Sequence, residues 1–232
     1  MSIVMNAKQQ AALHAASLIK DGMVVGLGTG STANYFIEAL ALRQQQGLDV
    51  STVASSVVST IKAAELGLKQ VSFEHLSSID VYVDGADEVS PDMTLLKGRG
   101  SDLVREKLLA RASDQFYVLV DKSKQVSRIG QNFPIPIEVM PFAWQLVLES
   151  INKLGGEGQL RKTTSGDGLA MTSHGSLVLD MNFDEAIDAR ELNNILNAVP
   201  GVVEHGIFEQ LATAIFIGND HSELDQQWKE TS

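Results

Sequence analysis

A chain of 232 residues, 44% hydrophobic and 20% charged, is long enough for one or two domains and buries roughly 70% of its unfolded surface. It has no cysteine, which excludes a disulfide scaffold, thiolate-held zinc, an iron–sulfur cluster and a cysteine nucleophile. Its 18 basic and 29 acidic residues give a net charge of −11 with no basic cluster, which argues against nucleic acid or an anionic membrane as partner.

No apolar run approaches the roughly 20 residues of a bilayer span. The first 20 residues read as an amphipathic helix rather than a signal peptide, so the expected location is the cytoplasm. An anionic substrate would meet an unfavourable long-range field here. It would need local donors: backbone N–H groups, a helix N-terminus or a placed lysine.

Residues 6–20 have a helical period and stop at Asp21-Gly22. Residues 23–27 are a short apolar run between glycines, expected as a buried strand, and 31–46 form a helix ending at Gly47. A strand at 50–55, a helix at 59–66, a strand at 79–83, a helix at 102–112 and a strand at 116–120 follow. Strands alternating with helices predict a parallel sheet covered on both faces. Phe133-Pro-Ile-Pro-Ile marks a boundary. Beyond it the order is a strand at 137–140, a helix at 142–154, strands at 159–164 and 176–181, a helix at 188–198 and a strand at 202–208. That β-α-β-β-α-β order is ferredoxin-like. A last apolar run at 214–217 returns to the first sheet. The expected fold class is α/β, a doubly wound, mostly parallel Rossmann-like sheet with a smaller ferredoxin-like α+β domain inserted. The first domain would take 1–130 and 209–232, the second 131–208.

Three motifs carry chemistry. Gly26-Leu-Gly-Thr-Gly-Ser-Thr32 follows a strand and opens a helix, so Gly28, Thr29, Gly30, Ser31 and Thr32 form a candidate phosphate cradle. No Lys follows the last glycine, so it is not a Walker A loop, and it lacks the final glycine of a dinucleotide fingerprint. A plain capped turn is the other reading.

Asp84 and Asp87 flank a glycine and an alanine just after the strand at 79–83, so both carboxylates can serve one space, holding hydroxyls and moving protons. Adding Glu88 makes a divalent-metal reading possible, although no further ligand cluster lies nearby. Lys97-Gly98-Arg99-Gly100 offers a cation on a pliable loop, followed by Glu106 on a helix. Glu106 falls between Leu109 and Ala110 on the helical wheel, as a partly desolvated general base would, yet Arg105-Glu106-Lys107 also reads as a solvated face. From residue physics alone both readings stand.

Lys122 and Lys124 follow a strand end and are either a site rim or plain surface. The histidines at 14, 75, 174, 205 and 221 are scattered and form no ligand pair.

Together these stretches resemble the type A ribose-5-phosphate isomerase family: GLGTGST at 26–32, YVDGADEV at 82–89, KGRG at 97–100, REKLLA at 105–110 and DKSKQV at 121–126. KLGG at 153–156 and AVPGVVEHGIF at 198–208 resemble its inserted domain, so the likeness spans nearly the whole chain in order. The resemblance implies an aldose–ketose isomerase that interconverts ribose 5-phosphate and ribulose 5-phosphate through a cis-enediolate, in the non-oxidative pentose phosphate pathway, with no metal or organic cofactor. Glu106 would be the base between C2 and C1. Asp84, with Asp87 and Lys97, would assist ring opening and hold the hydroxyls, and Lys97 would stabilise the enediolate. Ser31, Thr32, the loop amides and Lys8 would hold the phosphate. Thr29 would line the same loop, Gly98, Arg99 and Gly100 would adjoin the substrate, and Lys124 would sit near it. The likeness also implies a homodimer or homotetramer.

Two residues depart from the family pattern. Arg99 stands where a glycine is common, and Val57 where an aspartate is common. An arginine fits poorly if position 99 needs φ > 0. An isomerase for a related sugar phosphate and a non-catalytic sugar-phosphate sensor are the alternatives. The sensor reading is weakened because only about 20 residues precede the first strand, too few for a DNA-binding module. A Rossmann dehydrogenase is disfavoured by the glycine loop.

Overall fold

A computed structural model describes residues 6–219 and 224–230, so His221 lies outside the described residues. The chain forms two compact units. One takes residues up to Ala86, Arg105–Gln125 and those from Leu211 on; the other takes Asp87–Val104 and Val126–Gln210.

The first unit opens with α1 (Ala7–Ser17), closed by a reciprocal cap: the Asn6 side chain accepts the Gln9 N–H at 2.9 Å, and the Gln9 side chain accepts the Asn6 N–H at 3.1 Å. There follow β1 (Val24–Leu27), α2 (Ser31–Gln45), β2 (Ser51–Ala54), α3 (Val57–Glu65) and β3 (Ile79–Gly85). In the second unit, β4 (Glu88–Val89) and β5 (Leu95–Leu96) are two-residue strands. Then α4 (Leu103–Ala112) runs without a loop into β6 (Ser113–Asp121). The second unit continues with β7 (Ile135–Val139), α5 (Trp144–Lys153), β8 (Glu157–Leu160), β9 (Leu177–Asn182), α6 (Ala189–Asn197), β10 (Val202–His205) and β11 (Ile207–Phe208). The chain then returns to the first unit with β12 (Ala214–Gly218) and β13 (Leu224–Trp228).

The first unit's sheet has the order β13-β12-β6-β3-β1-β2. Every pairing is parallel except β12 with β13. The strand order reverses at β1 and β3. In open α/β sheets, ligands bind outside the carboxyl ends of the strands at such a switch point. Those ends carry the 28–32 loop and Asp84. The alanines Ala11, Ala12, Ala15 and Ala16 of α1 share one core with Phe36, Ile37 and Leu40 of α2 and with Val81, Val83, Leu119 and Phe216 of the strands. Each large buried side chain contributes about 1.5–3 kcal/mol.

The second unit's four-stranded sheet is antiparallel with order β10-β7-β9-β8, and its chain order is β-α-β-β-α-β as expected. Ile137, Val139, Val147, Ile151, Leu179 and Leu196 form its core. The fold is thus α/β, with a mostly parallel sheet and a ferredoxin-like α+β unit inserted between β6 and β12.

Two expectations change in detail. The run at 202–208 is not one strand. It breaks at Gly206, where a Cβ would lie 2.3 Å from the Lys97 carbonyl oxygen, and β11 leaves to pair with β5. The expected bounds put 87–104 with the first domain. The small sheet β11-β5-β4 gathers this segment into the second unit.

Candidate active site

The 28–32 loop is built by exclusion. The Gly28 N–H donates to the Val83 carbonyl at 2.9 Å, and a Cβ at Gly28 would lie 2.1 Å from Asp84 Oδ1. Only glycine fits there. The Thr29 N–H donates to Asp84 Oδ1 at 3.0 Å. Gly30, at φ 104°, starts α2 with no side-chain cap, which leaves the first-turn N–H groups as donors for an anion. Lys8 Nζ lies 3.2 Å from Ser31 Oγ. Lys8, Ser31, Tyr35, Lys122, Ser123 and Asn219 line an open cavity of about 510 Å³ beside this helix start. Lys122 is on that wall, also 3.5 Å from Asp225, and Lys124 belongs to the same 3₁₀ turn.

The Thr29 side chain turns inward to a buried serine cluster. Its Oγ1 lies 2.7 Å from both Ser55 and Ser56 Oγ and 3.2 Å from Ser59 Oγ, while Ser59 Oγ donates to the Gly28 carbonyl at 2.7 Å. Ser56 also caps α3 by accepting the Ser59 N–H. These serines brace the loop from beneath. Their sequence signal was the run Ser55-Ser56-Val57-Val58-Ser59, in which Val57 is exposed on the first turn of α3.

Asp84 is fully buried. Its Oδ1 also accepts the Gly85 N–H at 2.7 Å, and its Oδ2 accepts the Tyr82 hydroxyl. Burial holds the Tyr82 phenol well above the ordinary tyrosine range, and the charges of Asp84 and Glu106 push it the same way. Tyr82 therefore stays a proton donor. Glu106 itself is 5% exposed, and its neighbour Lys107 only 2%. Arg105 turns back, donating from Nη2 to the Ala54 carbonyl at 3.0 Å, with its guanidinium 5.3 Å from the Phe73 ring centroid. The consecutive charges at 105–107 are not a solvated face, and the desolvated placement of Glu106 is the one observed.

The other candidates lie on the second unit. The Asp87 N–H donates to the Leu96 carbonyl at 2.8 Å. Its carboxylate accepts the Arg99 N–H at 3.4 Å and faces the Arg99 guanidinium at 4.0 Å, which stacks 4.0 Å over the Phe133 ring. Lys97 is nearly buried; its N–H donates to the Gly206 carbonyl at 2.9 Å, and its Nζ stands 5.7 Å over the Phe208 ring. Gly98 has φ 96°, and a Cβ there would meet Leu103 at 3.0 Å. A Cβ at Gly100 would meet nothing within 4 Å.

Glu88 corrects the metal reading. It is fully buried, and its carboxylate accepts three backbone N–H groups, from Gly130 and Asn132 at 2.6 Å and from Phe133 at 3.1 Å. It organises that loop and is not available as a metal ligand. Among the described residues no group of three or more His, Asp or Glu side chains could hold a metal ion.

The family model of ribose 5-phosphate isomerase A (phosphoriboisomerase A) matches residues 51–222. The chain belongs to this family. It is 41% identical to ribose-5-phosphate isomerase A of Thermosynechococcus vestitus over 91% of this chain and 90% of that one. It is 44% identical to the protein of the same name from Methanothermobacter thermautotrophicus over 94% and 96%. Among solved structures, ribose 5-phosphate isomerase A of Methanocaldococcus jannaschii superposes with a TM-score of 0.90 at 36% identity, covering 96% of this chain and 98% of that one. A D-ribose-5-phosphate isomerase in complex with phospho-erythronic acid superposes with a TM-score of 0.92 at 36% identity, covering 97% and 100%.

Against the family pattern, Arg99 is accommodated without a left-handed backbone. The positive φ values of its loop fall on Gly98 and on Ser101, at 65°. Its side chain is occupied by Asp87 and Phe133.

Proposed function

We propose that the chain interconverts D-ribose 5-phosphate and D-ribulose 5-phosphate through a cis-enediolate, with Glu106 as the proton-transferring base. The carrying observation is the burial of Glu106 beside Tyr82 and Asp84 in the unit that also holds the 28–32 loop. Glu106 takes the C2 proton of the open-chain aldose and returns it to C1, and the hydroxyl proton moves from O2 to O1. A positioned base contributes about 10²- to 10⁴-fold. Lys97 faces the developing enediolate charge, a role typically worth about 10²- to 10³-fold. Asp84 and Asp87 hold hydroxyls and assist ring opening. Gly28, Gly30, Ser31, Thr32 and Lys8 anchor the phosphate, with Lys124 near it. Local donors of this kind are what a chain of net charge −11 needs for an anionic substrate. Phospho-erythronic acid, bound by a relative, is a phosphorylated sugar acid with a planar anionic carboxylate, which supports the enediolate route.

The reaction uses neither metal nor organic cofactor in this reading. The protein is cytoplasmic, acts in the non-oxidative pentose phosphate pathway and works as a homodimer or homotetramer. No helix among the described residues is long and apolar enough to cross a membrane.

The deciding experiment follows ketose formation from ribose 5-phosphate in EDTA, with Glu106→Gln in parallel. Fast turnover by the parent and a loss of at least about 10²-fold in E106Q is expected. Near-normal turnover in E106Q removes Glu106 from the base role. Binding without turnover by the parent favours a different sugar phosphate or a sensor.

A further inference from the structure

The loop that carries Lys97 has no regular secondary structure from 97 to 101 beyond its turn, yet its backbone is held in an unusual shape. Gly98 and Ser101 both have positive φ, at 96° and 65°, and the Ser101 N–H closes the turn on the Gly98 carbonyl at 3.2 Å. A serine in the left-handed region persists only where its surroundings impose it.

What surrounds it is one guanidinium from 60 residues away in the chain. Arg161 Nη1 donates to the Gly98 carbonyl at 2.9 Å, to the Arg99 carbonyl at 3.2 Å and to Ser101 Oγ at 3.1 Å. The rest of the fork is committed elsewhere. Nε donates to Asp180 Oδ2 at 2.9 Å and Nη2 to Asp180 Oδ1 at 2.5 Å, a bidentate pair. The Arg161 backbone is fixed as well: its N–H donates to the Val178 carbonyl at 2.8 Å, and its carbonyl accepts the Ala170 N–H at 2.9 Å. Its side chain is 14% exposed.

We propose that Arg161 is a positioning residue for the reaction: held by Asp180, it fixes the 98–101 backbone and through it the placement of the Lys97 ammonium. The loop is then pinned on both sides of that ammonium, by the Gly206 carbonyl on the Lys97 N–H and by Arg161 on the next carbonyl. A lysine cannot replace Arg161. Its single ammonium is a point charge without the planar fork that serves Asp180 and the loop together. The inference rests on the proposed role of Lys97 in turnover.

The test compares the parent with R161K, R161A and D180N. Three quantities are read: kcat and KM for ribose 5-phosphate, the thermal midpoint, and the rate of tryptic cleavage after Arg99 by mass spectrometry. Arg99 is half exposed, so its cleavage reports the freedom of the loop. Expected are a fall in kcat of about 10- to 100-fold in R161A and in R161K, with KM within about threefold, and cleavage after Arg99 accelerated at least about tenfold. D180N should show the same pattern more weakly. Rescue of kcat by R161K to within about twofold of the parent overturns the proposal, and so does a lowered midpoint in R161A with kcat unchanged. If R161A does not fold, R161K and D180N decide. If the parent does not turn over ribose 5-phosphate, the functional reading fails by itself, and the cleavage rates still decide whether Arg161 holds the loop.

Discussion

The Tyr82 hydroxyl donates to Asp84 Oδ2 at the buried end of β3, two residues apart on the same face of the strand. Asp84 therefore enters any reaction with one oxygen held by two backbone N–H groups and the other by a phenol that does not ionise. Tyr82→Phe keeps the ring stacked on Phe116 and removes the hydroxyl that donates to Asp84 and also bonds Ser55. The expected cost is about 1–3 kcal/mol of stability, for a buried carboxylate that loses one of its donors. Turnover per folded molecule should fall by roughly tenfold, because one such donor is worth about a factor of ten. Urea unfolding and steady-state kinetics on the same preparation check both. Unchanged values in both would show that the hydroxyl contributes nothing to Asp84.

Gly28→Ala places a methyl where the Asp84 carboxylate already is. The side chain must move or the loop must open. A cost of about 1–3 kcal/mol and loss of most turnover are expected. Gly100→Ala is the control, since nothing lies within 4 Å of the added carbon and its φ is not positive. Its stability should stay within about 0.5 kcal/mol of the parent. Denaturant midpoints of the two variants decide the matter.

Glu88→Ala strips the acceptor from three backbone N–H groups of the 130–133 segment. A loss of about 2–4 kcal/mol is expected, because these are charge-assisted bonds to a buried group. Turnover per folded molecule should survive much better than in E106Q. A stable E88A variant that binds substrate but is inactive would show that Glu88 takes part in the chemistry.

Glu138 gives a pH dependence. It lies fully buried in β7, and burial raises its pKa above the ordinary carboxylate range, a rise opposed by hydrogen bonds from Thr172 and Ser176 and by His174, and reinforced by Asp102. One oxygen accepts the Thr172 hydroxyl at 2.9 Å, and the other has no hydrogen-bond partner among the described residues. Its folded pKa exceeds the unfolded one, so the folded state holds the proton more tightly. The contribution to stability is full below the ordinary carboxylate range and is lost as pH rises through the raised value. Glu138→Gln, which mimics the protonated form, should be more stable than the parent above neutral pH. The advantage should vanish as the pH falls into the ordinary carboxylate range. Unfolding free energies across that span test the sign.

The parallel sheet is legible in the sequence because β1, β2, β3, β6 and β12 are apolar runs separated by helical periods. The strand β13 is not, because an edge strand reading Leu-Asp-Gln-Gln-Trp has no continuous apolar signal. Strands of two residues such as β4 and β5 carry no period at all. The break at Gly206 is set by the Lys97 carbonyl more than a hundred residues away, which no local pattern encodes. In the site, glycine spacing announces the 28–32 loop, since close approach to Asp84 demands it. The burial of Glu106 is hidden by the charges on either side of it. Arg161 is hidden for a different reason, because all five of its side-chain hydrogen bonds run to residues at least 19 positions away.

The five residues from Asp84 to Glu88 divide their labour unevenly. The first faces the 28–32 loop, while the last ties down a distant stretch of backbone. Both ends are nonetheless fully buried, and each carboxylate accepts three donors. A lineage that abandoned turnover would lose folding stability by drifting at either one. Retired descendants of such an enzyme would thus keep Asp84 and Glu88 alike, so the pair marks an intact copy rather than a working one.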